Sequence, residues 1–403
     1  MLRRSSRFRR TAGTIAVLAS VALMAGACAG QDSASAGGGS QSDINIGAWM
    51  PLTGALAAYG VPEKAGADAY FKMLNAQGGI NGRKIRWTVK DNAYDPQQTV
   101  QIARELVGQD KVVAIVDANG TAQGEAAFPF VLQQSKVPIL NELGGSESWY
   151  DPPRPGLFGT QTLYEDQAAA VATWAVQDGA RKILVVHSDP AAFVNVAEQV
   201  EPVAKKTDPS VEVDRLPVKF QTTDYTPVVS KVKADKPDAV ILVLTSPEAA
   251  AYLKEAKLQG LSPATYGYAP VAAESTITLA KDAAEGLKAV QLVKAPTDPD
   301  PAVKEFRTAM AKYEPGQPAG FIALWAWSNA KVFAQIAKTV KGPVTSDALI
   351  KAYEKASAVD PGVSPVMKFG PSSHLGTRSV QRVVVKDGVW TSVGDFYTPP
   401  ARG

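Results

Sequence analysis

Cysteine is almost absent from this chain: one residue in 403, Cys28, with no second thiol to pair with it. A disulfide within the chain and a thiolate metal cluster are both excluded, so packing must hold the fold. Histidine is nearly as scarce, with His187 and His374 alone, which excludes a histidine-rich metal centre. There is no GxSxG nucleophile elbow, no GxxxxGK(S/T) phosphate loop and no GxGxxG following a strand. No repeat of solenoid length occurs. Nothing calls for a metal or cofactor, and the lack of a catalytic constellation argues for binding rather than enzymatic turnover.

Charge of one sign is concentrated only at the start. "MLRRSSRFRR" carries five arginines and no acid, and the apolar run "TAGTIAVLASVALMAGA" follows it. Its length and flanks are those of an export signal rather than a membrane span. Setting residues 1–28 aside leaves 37 basic against 39 acidic side chains, so the whole-chain charge of +3 becomes −2. With no basic face remaining, nucleic acid is excluded as a partner. Cys28 follows "LMAGA" and resembles the acylated cysteine of a bacterial lipoprotein, although Ala25 stands where a leucine is usual. Beyond it, "AGQDSASAGGGSQS" over 29–42 has nothing to bury and reads as a flexible tether. The expectation is an exported monomer, lipid-anchored to the cell membrane on its outer side.

The chain is 45% hydrophobic, and from Ile44 onward its apolar residues are ordered into short runs alternating with helical patterns. "INIGAWM", "KIRWTVKD", "VVAIVDANG" and "VPILN" read as strands, with helices "EKAGADAYFKMLNAQG", "DPQQTVQIARELVGQ" and "AAFPFVLQQ" between them. The last helix is expected to kink, or to start late, at Pro129. After "YDPPRPGLFG" the alternation restarts, with strands "KILVVHSD", "VEVDRLPV", "DAVILVLTS" and "ATYGYAP". Three further helices follow, then a hairpin turning at Asp387-Gly388. Such βα repetition predicts an α/β protein of two doubly wound, mainly parallel sheets, each covered on both faces.

Ligands of open α/β sheets collect at the carboxyl ends of the strands. Three loops there, "PLTGALAAYG", "DANGTAQG" and "NELGGSES", are rich in Gly, Thr, Ser and Asn. Small hydroxyls and exposed backbone N–H groups suit them to grip a polar group. His187 ends an apolar strand, where capping by a hydrogen bond is the ordinary role. "FIALWAWSNAKVF" is apolar on all sides and reads as a buried helix, with Trp325 and Trp327 as packing residues.

The stretch "IGAWMPLTGALAAYGVPEKAGADAYFKMLNAQGGINGRKI" resembles the branched-chain amino-acid-type solute-binding proteins of ABC transporters, and the likeness runs from Ile44 to Val393. The PLTG loop, the helix and the N-x-x-GGI-x-GRK turn occur in that family's order and spacing. The resemblance implies a type I periplasmic-binding fold: two lobes joined by three crossings and closing on a solute. On it, residues 43–161 and 290–370 form the first lobe, and 162–289 with 371–400 the second. The implied partners are a small-molecule solute and the membrane subunits of an ABC permease; a ligand-sensing receptor on the same scaffold is the alternative. A disulfide frequent in that family is missing here, since Tyr94 and Ala118 occupy its two places.

Carried over residue by residue, the resemblance implies a pocket. Tyr59 matches the aromatic of the first loop. Asn119, beside Gly120 and Thr121, matches the polar residue that holds the ligand carboxylate. Leu143, Gly144 and Gly145 match the second anchoring loop. In the other lobe Phe193 falls near an aromatic position, Thr245 and Ser246 replace an aromatic pair, Tyr268 borders the cleft, and Phe321 fits a closing aromatic. Tyr164 and Ala269 stand where amino-acid binders of the family carry acids for the ligand ammonium. Glu142, Glu165, Asp166 or Glu274 could substitute from nearby; otherwise an aromatic or other non-zwitterionic organic acid competes with an amino acid as ligand.

Overall fold

A computed structural model describes residues 42–400; the export segment and Cys28 lie outside the described residues. The apolar runs pair into two sheets. The first holds β1 (Ile44–Met50), β2 (Ile85–Asp91), β3 (Ala114–Val116), β4 (Ile139–Leu140) and β5 (Leu157–Phe158) in the order β2-β1-β3-β4-β5, all parallel. The second holds β6 (Lys182–Ser188), β7 (Glu212–Val218), β8 (Ala239–Val243), β9 (Ala264–Gly267), β10 (Lys288–Gln291), β11 (Gln381–Lys386) and β12 (Val389–Ser392). Its order is β12-β11-β10-β9-β8-β6-β7, antiparallel only in the pairs β10–β11 and β11–β12. The expected class, two doubly wound parallel-sheet lobes, is what the chain adopts.

Burial follows from position in the sheet. β8, "AVILV", is buried at every residue because helices cover both faces of a central parallel strand. β7 lies at the edge, alternates toward solvent, and tolerates Pro217, whose missing N–H a central strand would need. The β11–β12 turn at Asp387 (φ 52°) and Gly388 (φ 73°) has both central residues left-handed, as a type I′ hairpin requires.

The chain passes between the sheets three times. After β5 it enters the helix Tyr164–Gln177, which packs on β8, β9 and β10; after β10 it returns to the helix Pro301–Tyr313, which packs on the helix Ala57–Ala76; it crosses again before β11. The helix Phe321–Ala337 also lies against Ala57–Ala76, so late sequence completes the first half.

Several elements depart from the sequence reading. The first helix begins at Ala57 rather than near Glu63, because Pro62 stands in its second turn and removes only one backbone bond. Tyr59 is thereby on the helix and not in the preceding loop. The helix after β3 runs Thr121–Phe128 and widens at Pro129–Gln134 instead of starting late. "AAFVNVAEQVEPVAKK" breaks into Ala191–Glu198 and Val200–Thr207. β5 and β10 were not expected; each is very short, and its residues carry no alternating pattern to read.

The two long helices meet through a glycine. A Cβ on Gly66 would sit well inside van der Waals contact with the backbone of Ala323. Gly66→Ala should therefore destabilise the protein, because overpacking costs about 1–3 kcal/mol while the better helix propensity of alanine returns about 1 kcal/mol. A melting midpoint equal to or above the unsubstituted protein's would contradict this.

Candidate functional site

Loops at the strand ends are tied down before any ligand arrives. The Asp91 carboxylate, at the end of β2, accepts from the Leu52 N–H (2.9 Å) and the Thr53 hydroxyl (2.6 Å), fixing the PLTG loop. The loops after β3 and β4 run on as a parallel bridge between Asn119 and Leu143; the Leu143 N–H donates to the Ala118 carbonyl (2.7 Å) and the Gly120 N–H to the Leu143 carbonyl (2.9 Å).

These loops and their counterparts from the other sheet enclose a cavity with about 80 Å³ open to the centres of water molecules. That is room for several waters, each needing roughly 10–15 Å³ on this measure. Of its seventeen lining residues eight are aromatic and none is charged. The cavity is therefore an apolar box with a few polar groups, the usual character of a small-molecule site.

Nine of the residues expected at the pocket line it: Tyr59, Asn119, Leu143, Tyr164, Phe193, Thr245, Tyr268, Ala269 and Phe321. Gly120, Thr121, Gly144, Gly145 and Ser246 are not among the lining residues. A Cβ on Gly144 would strike Trp149 and one on Gly145 the Gln161 amide, so Gly144 makes room for a core tryptophan and Gly145 for Gln161, which itself lines the cavity. Thr121 instead interacts with the Tyr164 hydroxyl. Ser246 gives its backbone N–H to the Tyr59 hydroxyl at 2.6 Å.

The structure adds eight lining residues that the sequence reading did not place there: Leu56, Tyr94, Gln161, Phe220, Pro270, Leu292, Ile322 and Trp325. Tyr94, Phe220 and Leu292 follow β2, β7 and β10, so the strand-end rule extended to every strand would have found them. Phe321, Ile322 and Trp325 occupy one helical face at i, i+1 and i+4. Trp325 is therefore a wall of the cavity rather than core alone. Trp327 is core, edge-on to Tyr70 at 4.9 Å. His187 is buried with its Nδ1 at 3.0 Å from the Ser188 carbonyl and does not line the cavity.

Two contacts join the halves across the cavity. The Tyr59 hydroxyl, besides accepting from Ser246, donates to the Pro270 carbonyl at 3.1 Å; burial pushes this phenol up, so it stays protonated. At the opposite wall the Phe321 N–H, first in its helix, donates to the Glu274 carboxylate. Glu274 thus caps one helix from another, a favourable place for an anion.

Three of the carboxyls near the cavity, Glu248, Glu63 and Asp166, are engaged by groups outside it. Glu248 accepts from the Thr245 N–H (2.9 Å), the Thr245 hydroxyl (2.6 Å), the Ser188 hydroxyl (3.0 Å) and the Gln221 N–H (2.8 Å). Glu63 accepts from the Asn119 amide at 2.5 Å, and burial with the neighbouring Asp117 raises it far above the carboxyl range. Asp166 pairs with Arg378 at 2.6 Å. Glu142 and Glu165 are buried but do not line the cavity.

Two α/β halves with three crossings and an aromatic-walled cavity at their strand ends define a two-lobed solute-binding protein. The chain belongs to the periplasmic binding protein family, whose model matches residues 43–389. Family membership implies an extracytoplasmic location. It is 26% identical over 336 residues to the Leu/Ile/Val-binding protein of Escherichia coli K12, covering 80% of this chain and 86% of that one. It is 29% identical over 225 residues to an amino acid binding protein of Pseudomonas aeruginosa, covering 55% of this chain; the match spans only 59% of that relative. A branched-chain amino acid ABC transporter structure from Thermus thermophilus with bound valine superposes with a TM-score of 0.79 at 20% identity, covering 89% and 97% of the two chains. At that identity the likeness speaks for the fold alone.

Tyr59→Phe keeps the ring and removes both cross-cavity bonds, leaving the Ser246 N–H without its partner. Solute affinity should fall about 5- to 30-fold, the effect of roughly 1–2 kcal/mol, and small-angle scattering of the unliganded protein should show a larger radius. Unchanged affinity and radius together would show that Tyr59 does not hold the halves.

Burial raises Glu274 to about 7 from its ordinary 4.5. The folded protein therefore holds this proton more tightly than the unfolded chain, and the stability it contributes declines as pH rises from 4.5 to about 7 and is level above. Glu274→Gln retains an acceptor for Phe321 without the titration. Relative to the variant, the unsubstituted protein should lose on the order of 2 kcal/mol between pH 5 and 8, the full shift being discounted for partial solvent access. Denaturant midpoints that change in parallel for both proteins would refute the assignment.

Proposed function

We propose that this chain is the extracytoplasmic receptor of an ABC importer, trapping a small organic acid between its lobes and presenting it to the permease. The observation that carries the reading is the aromatic-walled cavity at the strand ends, lined by no charged side chain and bridged across by Tyr59. The lobes comprise 43–161 with 290–370 and 162–289 with 371–400, and Cys28 tethers them to the membrane through an acyl chain. Asn119, Leu143, Tyr164, Phe193, Thr245, Tyr268 and Phe321 are the ligand contacts in this reading. The first half supplies the polar grip, closure adds the aromatic walls, and release needs only reopening, with no covalent step. The names of the Escherichia coli and Pseudomonas aeruginosa relatives support amino acids as a ligand class, and the uncharged cavity wall supports other organic acids beside them.

Residues 42–403, purified and freed of carried-over ligand by unfolding and refolding, should be screened by thermal shift against amino acids and aliphatic and aromatic carboxylates. A solute that binds only the folded state must raise the midpoint, by RT ln(1 + [L]/Kd) in free energy. At least one class should do so in a saturable way. A flat response across the whole panel would overturn the receptor reading.

A further inference from the structure

The cavity offers many donors and almost no anionic acceptor. Resting on the reading of this cavity as the ligand site, we infer that it selects carboxylates lacking an α-ammonium group over the amino acids of the same carbon skeleton.

Among the described residues no charged side chain lines the cavity. The carboxylates that come nearest are occupied: Glu248 by four hydrogen bonds, Glu274 by the Phe321 N–H, and Glu63 by the Asn119 amide. An ammonium brought into this box would shed its water and find no counter-charge, which is the costly case of burial. Aromatic faces attract cations, but that attraction is smaller than the desolvation it would have to offset. The free amide oxygen of Asn119 is a neutral acceptor and does not replace a carboxylate.

A carboxylate meets the opposite surroundings. Gln161 lines the cavity and is 2% exposed; its Nε2 carries two N–H donors and the side chain engages only the Tyr164 hydroxyl, which leaves a donor for the cavity. An unpartnered buried donor is satisfied by an acceptor from the ligand. Tyr94, Tyr164 and Tyr268 stay protonated because burial raises all three phenols, so each brings an O–H rather than an anion. The helix Thr121–Phe128, two residues after Asn119, has no acid in its first turn to cancel the positive end of its dipole. The rest of the wall suits an apolar tail: Phe193 and Phe220 lie 5.6 Å apart, tilted at 46°.

Isothermal titration of the refolded protein should compare 3-phenylpropanoate with L-phenylalanine, and 4-methylpentanoate with L-leucine. Within at least one pair the acid without the amine should bind at least tenfold more tightly. Ala269→Asp places a carboxylate in the cavity and should weaken that acid at least tenfold while weakening its amino-acid partner less; a melting curve confirms that the variant folds. Equal or tighter binding of the amino acid in both pairs overturns the inference and leaves the receptor reading intact. So does an acid whose binding Ala269→Asp leaves unchanged. If neither member of either pair binds, the inference also falls, and the receptor reading falls with it only when the wider thermal-shift panel is flat.

Discussion

The Tyr59 hydroxyl connects the two halves at the point where a ligand would lie between them. It accepts from the first N–H of one helix and donates to the Pro270 carbonyl, and both partners belong to the second half. This geometry requires Tyr59 to stand on a helix rather than a loose loop, which in turn requires the helix to start before Pro62. It also requires that helix to be anchored. Gly66 provides this by letting the backbone of the Phe321–Ala337 helix come into direct contact, so both cavity walls contributed by the first half share one support.

That support is keyed to the sheet by an unusual buried polar group. Asn329 gives its amide N–H to Asp117 (2.7 Å), its amide oxygen accepts from the Thr160 hydroxyl (2.7 Å), and its backbone carbonyl accepts from Asn141 (3.0 Å). One asparagine thus engages the ends of β3, β4 and β5. Glu63, Asp117 and Glu142 lie buried beside these ends and are raised by burial. Burial disfavours negative charge at all three, directly behind Asn119. The second half contributes Tyr164, Phe193, Phe220 and Tyr268 to the cavity that these strand ends border.

Much of the fold was legible because its periodicity is strong. The fully apolar β8, the helix–turn "NAQGGINGRK" and the Asp387-Gly388 hairpin each carry a local physical cause that residues alone express. In the GGINGR turn, Asn81 and Gly82 are both left-handed, and Ile80 and Arg83 exchange backbone bonds of 2.8 and 3.0 Å across it. β5 and β10 were not legible, since two to four residues hold no pattern and pairing with neighbours alone makes them strands. At the cavity, strand-end logic reached Asn119 and Leu143 but stopped short of Tyr94 and Phe220, whose loops carry no glycine-rich signature. Gln161 was missed because it lies on a crossing between the sheets, a feature only tertiary structure defines. The glycines Gly120, Gly144 and Gly145 are not among the lining residues, and small residues beside a cavity and small residues one layer back look alike in sequence.

The fold and the chemistry of the cavity carry separate information. A two-lobed scaffold closes on whatever satisfies the groups it leaves unpaired, so ligand class is set by the balance of donors, acceptors and charge at the wall. Here the carboxylates that approach the wall are spent on structure: Glu248 completes a capping box and Glu274 caps a second helix. Had either been free, the same aromatic box would suit a zwitterion. Because both are committed to helix ends, freeing one for an ammonium would uncap a helix and desolvate its N–H groups, a penalty of the same kind as the one it relieves. The capping that builds the cavity therefore also limits what it can hold.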